Sequence, residues 1–437
     1  MPAKQVVKKF LPRKVFKAIE PYGHLAEAVL VNKANGSPGK GLKVIGVTGT
    51  NGKTSTSILI YRMLQNAGFK TGLITTVEWG IGEDIKAQHE HYTNVPIREL
   101  MARLKKMRAA NIDWLVLETT SQGLAQHRVH GIDFSIAAIT NLTHEHLDYH
   151  GTFENYRNAK RQLFKLANKN KNGLQTGVIN ADDPSAEYFK SDIAHPIMYG
   201  VDGGDLKATH IDLSPSGSKY QVKVGDSVYH INCHLPGTFN IYNSLAAVGV
   251  GRAVGLSVKQ IEDGINALDA VEGRMTRIDE GQDFDVIVDF AHTPDSFEKL
   301  FKDLKPLVKG RLIVMFGSPG RRDEAKRYIQ GDLAGKYADV VVLTEEDDRD
   351  IDGNMILKQI SEGVTKHGKV IDNDLFLVPF RPDAIKFTLG LGKKNDTLLF
   401  LGKGHEKTIE RADGAHPWDE IGLTKKALKE VLKARKS

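Results

Sequence analysis

From Lys43 onward, short unbroken apolar runs alternate with longer stretches in which apolar residues recur every three or four positions. VIGVTG (44–49) precedes a helical pattern over 53–67, and TGLITTV (71–77) follows it. DWLVLETT (113–120) and SIAAITNLT (135–143) are two further runs. Such runs predict strands buried on both faces, and helices between them predict a mostly parallel sheet covered on both sides. Residues 200–232 alternate polar and apolar positions instead, which predicts antiparallel strands appended to that sheet. A second series starts near Glu272 and carries DVIVDF (285–290), RLIVMFG (311–317), ADVVVLT (338–344) and TLLFLG (397–402). Polar or Gly-rich residues follow each of these strands, where open α/β sheets place their ligands. Residues 1–40 are basic and partly amphipathic and end in Asn35-Gly-Ser-Pro-Gly39. That segment fits one or two helices packed on the next domain, or a helix lying along a partner or a membrane surface.

Bulk properties narrow the class. The 437 residues suffice for two or three domains, each with its own core. The apolar share (41%) and charged share (26%) are those of a soluble globular protein. No apolar run approaches the ~18–20 residues of a spanning helix, and the basic N-terminus lacks the apolar core of a signal peptide. The single cysteine, Cys233, excludes an intramolecular disulfide and a four-thiolate zinc site, and fits a reducing cytoplasm. A net charge of +6 suits an acidic, phosphate-bearing small molecule. No aromatic-basic module points to nucleic acid.

The most informative segment is VIGVTGTNGKTSTS (44–57), a strand, a Gly-rich turn and a helix opening on Lys53-Thr54. Backbone N–H groups of Gly49, Thr50, Asn51, Gly52 and Ser55 are placed to surround phosphate oxygens at a helix N-terminus. Lys53 would reach the β- and γ-phosphates, and the Thr54 hydroxyl suits Mg²⁺. The spacing departs from G-x-x-x-x-G-K-[ST], since Val47 stands where the first Gly belongs. Glu118 ends its strand beside this loop, where a carboxylate can hold Mg²⁺ directly or through water. NLTHEHLDYHGTFENYRNAK (141–160) gathers His144, Glu145, His146, Asp148, His150 and Lys160 within one segment after a strand.

These motifs, with LPGTFNIYNSLAA (235–247), VEGRMTRI (271–278), VDFAHTPDS (288–296) and GKGHE (402–406), resemble the ATP-dependent Mur ligase family in order and content. The nearest resemblance is to members that add the third residue, diaminopimelate or lysine, to the peptidoglycan precursor peptide. It implies an α/β fold: a central P-loop ATPase-like, mostly parallel sheet domain (41–270), and a C-terminal Rossmann-like α/β domain (271–437). Residues 1–40 would be a short N-terminal segment.

The resemblance also implies roles. Lys53, Glu118, His146 and Lys160 would be catalytic. Thr54 and Glu118 would hold one Mg²⁺, and His146 with Lys160 a second. In the family the matching lysine is carbamylated. An unmodified Lys⁺ would repel a cation whereas a carbamate offers hard oxygen, the plain alternative being a Lys⁺ on the γ-phosphate. Asn240 and Asn243 would face adenine, unless GTFNIYNSLAA is only a helix start. Arg274 and Asp289 would lie near ribose and phosphates, with His292 in the following turn. Thr93, Asn94, Thr120, Gln126 and Arg128 would hold the acceptor, a nucleotide-sugar peptide, although Thr93-Asn94 replaces the family's Thr-Thr.

Arg322, Asp347, Arg349, Gly402 and Glu406 would receive the incoming amino acid, Arg gripping carboxylate and the acids pairing with ammonium. Diaminopimelate-adding members have Asp-Asn-Pro-Arg where this chain has Glu346-Asp-Asp-Arg349. Arg349 favours a second substrate carboxylate, hence diaminopimelate, while Asp347 and Asp348 pull toward lysine; the balance leans to diaminopimelate. The expected reaction is amide formation through an acyl phosphate, by a cytoplasmic monomer using ATP and two Mg²⁺. Family members spend roughly a hundred residues, enough for a domain, on UDP binding before the phosphate loop. With residues 1–40 here, either a reduced element holds UDP or the acceptor is not a UDP-sugar peptide. The competing readings are a folylpolyglutamate synthase-like ligase and a nucleotide-binding regulator without catalysis. A relative with a four-cysteine zinc insert is excluded by the cysteine count.

Overall fold

A computed structural model describes residues 13–88, 93–143, 145–214 and 217–436. Helix α1 (Arg13–Ala34) leads into β1 (Val44–Thr48), α2 (Lys53–Asn66), β2 (Thr71–Ile74), β3 (Glu78–Ile81) and β4 (Asp84–Ala87). Next come α3 (Ile97–Ala109), β5 (Trp114–Glu118), β6 (Phe134–Ile139), α4 (Phe153–Lys169), β7 (Thr176–Asn180) and β8 (His195–Gly200). The hairpins of β9 (Leu206–Ser214), β10 (Gly217–Val224) and β11 (Ser227–Cys233) precede α5 (Thr238–Val254). These strands form one eleven-stranded sheet, ordered β11-β10-β9-β8-β7-β6-β1-β5-β2-β3-β4. From β9 to β2 every pairing is parallel, and both ends are antiparallel.

The strand periodicity sorts the core. Ile45, Val47 and Val116 pack with α2 and α5, whereas Val44, Leu115 and Leu117 pack with α3 and α4 on the opposite face. Both faces are therefore dry, which is why these strands read as continuous apolar runs. The β3–β4 hairpin and strands β7 and β8 lie beyond the runs singled out above. TGVIN and HPIMYG are too short and mixed to stand out, and tertiary pairing makes them strands. Helix α1 is a single helix packed on α3, with Ala28 and Asn32 buried while Tyr22 and Leu30 face outward. Residues 1–12 lie outside the described part.

The second sheet, ordered β12-β13-β17-β14-β15-β16, comprises β12 (Thr276–Arg277), β13 (Asp285–Asp289), β14 (Leu312–Phe316), β15 (Val340–Leu343), β16 (Leu375–Leu377) and β17 (Thr397–Leu401). Only the β12–β13 pairing is antiparallel. A separate hairpin of β18 (Thr408–Arg411) and β19 (Gly414–Pro417) follows β17. The carboxyl ends of β1 and β5 face the turns that follow β13, β14 and β15 across a single cleft.

Candidate active site

The phosphate loop is shaped by glycine and held by its neighbours. Gly52 caps α2 with φ 82°, and a Cβ there would come within 2.2 Å of Asn243 Oδ1. Among the described residues no side chain caps α2, which leaves its first N–H groups available to a ligand in the cleft. Thr50 N donates to Asn141 O (2.9 Å), Asn51 N to Asn141 Oδ1 (3.0 Å), and Thr140 Oγ1 to Asn51 O (2.6 Å). Thr50 Oγ1 meets Tyr156 OH at 2.9 Å.

Glu118 is buried at the end of β5 and accepts from Thr54 Oγ1 (3.0 Å), Thr76 N (3.0 Å) and Thr76 Oγ1 (3.1 Å). Lys53 Nζ donates to Thr50 O at 2.8 Å; burial lowers its pKa, with Glu118 acting in the opposite direction. Arg274 crosses from the second sheet's side, its Nη2 3.5 Å from Thr54 Oγ1 and its guanidinium over the Phe290 ring. His146, at φ 56°, is held neutral with a pKa of about 3, chiefly by burial and then by Lys160 and Lys53. Burial likewise drives the Lys160 ammonium well below its ordinary pKa; its Nζ donates to Gly49 O (2.6 Å) behind the loop, against the Tyr156 face. Buried Thr143 Oγ1 and Arg274 Nε have no partner among the described residues. Lys53 and Arg274 lining one cleft beside orphaned polar atoms suit a polyanion.

The cleft measures about 870 Å³ and continues in two directions. On one side lie Thr93, Asn94, Thr120 and Arg128. Asn94 is the organiser: its Nδ2 donates to Glu118 O (2.9 Å), and its Oδ1 accepts from Thr120 N (2.7 Å) and Thr120 Oγ1 (2.9 Å). On the other side lie Arg322, Asp347, Arg349 and Glu406. Several anticipated residues stand back from the cleft. Asn240 turns inward, donating to Pro236 O (2.7 Å) and accepting from Asn243 Nδ2 (2.8 Å), so only Asn243 of that pair lines it. Gln126 accepts from Arg128 Nε, and Gly402 backs Glu346. Asp289 lines the cleft while accepting from Met275 N and Ala291 N (both 2.7 Å). His144 lies outside the described residues, as does the Asp148 side chain.

Lining residues to which the sequence assigned no role include Thr76, Asp295, Glu346 and His405. Thr76 follows β2 in the same sheet position as the phosphate loop, a signal the strand pattern carried. Asp295 joins the two halves through Asn51 Nδ2 (2.8 Å). Among the described residues no three His, Cys, Asp or Glu side chains converge as a metal cage. Glu118 with the Thr54 hydroxyl nonetheless fits Mg²⁺, which is commonly held by one or two carboxylates and completed by substrate phosphates and water.

A phosphate loop at a sheet's carboxyl edge, facing a second α/β sheet across the cleft, fits an ATP-dependent ligase that forms amide bonds. The chain belongs to the Mur ligase family: residues 47–251 match the Mur ligase middle domain, and residues 273–404 match the Mur ligase glutamate ligase domain. It is 37% identical over 416 residues to the UDP-N-acetylmuramoyl-L-alanyl-D-glutamate--2,6-diaminopimelate ligase of Geobacillus thermodenitrificans, covering 94% of this chain and 84% of that one. A solved structure of a ligase of the same name superposes with TM-score 0.63 at 28% identity, over 94% of this chain and 83% of that chain. The folylpolyglutamate synthase of Mycobacterium tuberculosis superposes with TM-score 0.70 over 86% of this chain and 92% of that chain, at 18% identity. That likeness shows the shared fold alone, and the folate-type reading gains no support from it. Mur ligases use ATP and Mg²⁺. No helix among the described residues is long and apolar enough to cross a membrane.

Proposed function

We propose that this protein joins diaminopimelate or lysine to UDP-N-acetylmuramoyl-L-alanyl-D-glutamate in peptidoglycan precursor synthesis. The observation that carries the reading is one continuous cleft with the phosphate loop at its centre, Asn94, Thr120 and Arg128 on one side, and Arg322, Arg349 and Glu406 on the other. The acceptor's glutamyl carboxylate oxygen attacks the γ-phosphorus and ADP leaves. The amino group then attacks the acyl carbon, phosphate leaves, and the amine proton is lost. Lys53 and Arg274 neutralise charge that develops on the transferring phosphoryl group. The N–H groups of the loop from Gly49 to Ser55 would hold the phosphates, and Asn243, which lines the cleft, would face the base.

Thr54 and Glu118 would hold one Mg²⁺, and His146 with a carbamylated Lys160 a second; bound, the ions offset phosphate charge. Two features support the carbamate: burial lowers the Lys160 pKa well below its ordinary value, which favours the neutral amine that attacks CO₂, and His146 is unprotonated. We assign the chain three parts, residues 1–40, 41–270 and 271–437, and read it as a cytoplasmic monomer. The test is phosphate release from ATP and Mg²⁺ with the UDP-linked dipeptide acceptor, offering each amino acid separately. Release dependent on both acceptor and amino acid is expected; release without an acceptor, or none with either amino acid, refutes the substrate assignment.

A further inference from the structure

The charges at the amino-acid end of the cleft are mostly spent on one another. Lys403 Nζ lies 2.8 Å from Asp347 Oδ1 and 2.6 Å from Glu406 Oε2, so those two carboxylates share one buried cation. Arg349 is likewise committed. Its Nε donates to Glu410 Oε2 (2.6 Å) and its Nη1 to Gly320 O (2.7 Å), while Nη2 is 3.8 Å from Asp347 Oδ2. The backbone locks this arrangement: Arg349 N donates to Glu410 O (3.1 Å), and Glu410 N to Asp347 Oδ1 (2.9 Å). Glu410 sits on β18, whose next residue, Arg411, pairs with Glu345. Strand β18 thus holds Glu345, Asp347 and Arg349 of this turn. With Nε–H taken by Glu410 and one Nη1–H by Gly320 O, Arg349 has lost its Nε–Nη2 fork and can offer a carboxylate only the remaining Nη hydrogens.

Two charged lining groups at this end remain uncommitted among the described residues. Arg322 is exposed and makes no hydrogen bond or ion pair among the described residues, which leaves one cation for one carboxylate. Glu346 is 6% exposed and lines the cleft, yet its carboxylate makes no hydrogen bond or ion pair among the described residues. Lys326 is its strongest cationic influence, but that ammonium donates to His292 O (3.3 Å). Gly402 makes room for Glu346, since a Cβ there would lie 2.5 Å from Oε2.

We propose that Glu410 sets the amino-acid preference by withholding Arg349, so that the pocket takes a diamino acid with a single carboxylate, such as lysine, and Glu346 receives its side-chain ammonium. This rests on the ligase reading above and reverses the weight that the bare sequence put on Arg349. A second substrate carboxylate would meet Glu346 with no second uncommitted guanidinium among the described residues to offset it, so the two carboxylates must either repel or take up a proton, each at a cost in affinity. Glu410 is a positioning residue; it acts only through Arg349.

The test compares kcat/KM for L-lysine and meso-diaminopimelate, with ATP and the UDP-linked acceptor, in the wild type, Glu410→Gln and Glu346→Gln. The wild type should favour lysine by at least about tenfold. Glu410→Gln should narrow or reverse that ratio at unchanged KM for ATP, a shift that a merely structural role would not produce. Glu346→Gln should raise the KM for lysine about tenfold or more and leave diaminopimelate unaffected or improved. Wild-type preference for diaminopimelate, or an unmoved ratio in both variants, overturns the inference while the ligase reading stands. If no turnover occurs with either amino acid, the ligase reading fails instead. Calorimetric titration of lysine and diaminopimelate into the ATP-analogue-bound protein then decides the pocket separately, and tighter diaminopimelate or no binding of lysine overturns it.

Discussion

The two ends of the cleft are built on opposite electrostatic plans. At the phosphate end, Lys53, Arg274, the open N-terminus of α2 and the orphaned Thr143 hydroxyl converge with few partners of their own. At the amino-acid end, Lys403, Asp347, Glu406, Arg349 and Glu410 are already paired inside the protein. A site whose polar groups lack partners waits for a ligand to supply them, so its motif predicts its ligand. In a site whose charges are paired internally, residue identity says little, because the pairing decides which charges a ligand meets.

The sharpest way to break this contrast is at the phosphate end. Lys53→Ala should reduce phosphate release by at least about 10³-fold, because no neighbouring group can replace a charge aimed at the transferring phosphoryl. A loss below tenfold in a folded variant would mean that Arg274 alone neutralises that charge. Lys160→Ala should cost about 10²-fold or more and regain part of the rate with formate or acetate, which can stand in for the carbamate oxygens. Normal turnover without rescue would remove the carbamate from the mechanism.

A third prediction sharpens the other end. Burial raises the Glu346 carboxyl from its ordinary 4.5 to about 7. The folded state therefore binds that proton more tightly than the unfolded chain, and stability falls as pH rises from 4.5 through 7. By linkage the cost reaches roughly 3 kcal/mol above pH 7 and vanishes below pH 4.5. Glu346→Gln should accordingly be more stable than the wild type at pH 8 by up to that amount and equal to it at pH 4, as read by urea unfolding. Equal stability at both values would show that Glu346 is solvated. The smallest effect is expected between the halves: Asn51→Ala deletes the bond to Asp295, worth about 1 kcal/mol, and should raise the KM for ATP a few-fold.

Much of this was legible in the chain. The unbroken apolar runs at 44–49, 113–120 and 135–143 read as strands because their residues are buried on both faces, a condition local composition satisfies by itself. Gly52-Lys53-Thr54 and Glu118 are legible for a similar reason: turn geometry and strand position alone bring them to one edge. Strands β7 and β8 were not legible, since their register depends on neighbours already in place. Nor was the inward turn of the Asn240 amide, which depends on Pro236 and Asn243 in the folded turn.

The sequence by itself determined the two-sheet α/β plan and the phosphate loop, because periodicity, glycine freedom and a Lys-Thr at a helix start are local properties. Only the tertiary structure decided the disposition of the charges. Arg349 and Glu410 are sixty-one positions apart, and nothing local reveals that one neutralises the other. An ion pair is fixed by distance and burial, which the fold creates by bringing the β18–β19 hairpin against the turn after β15.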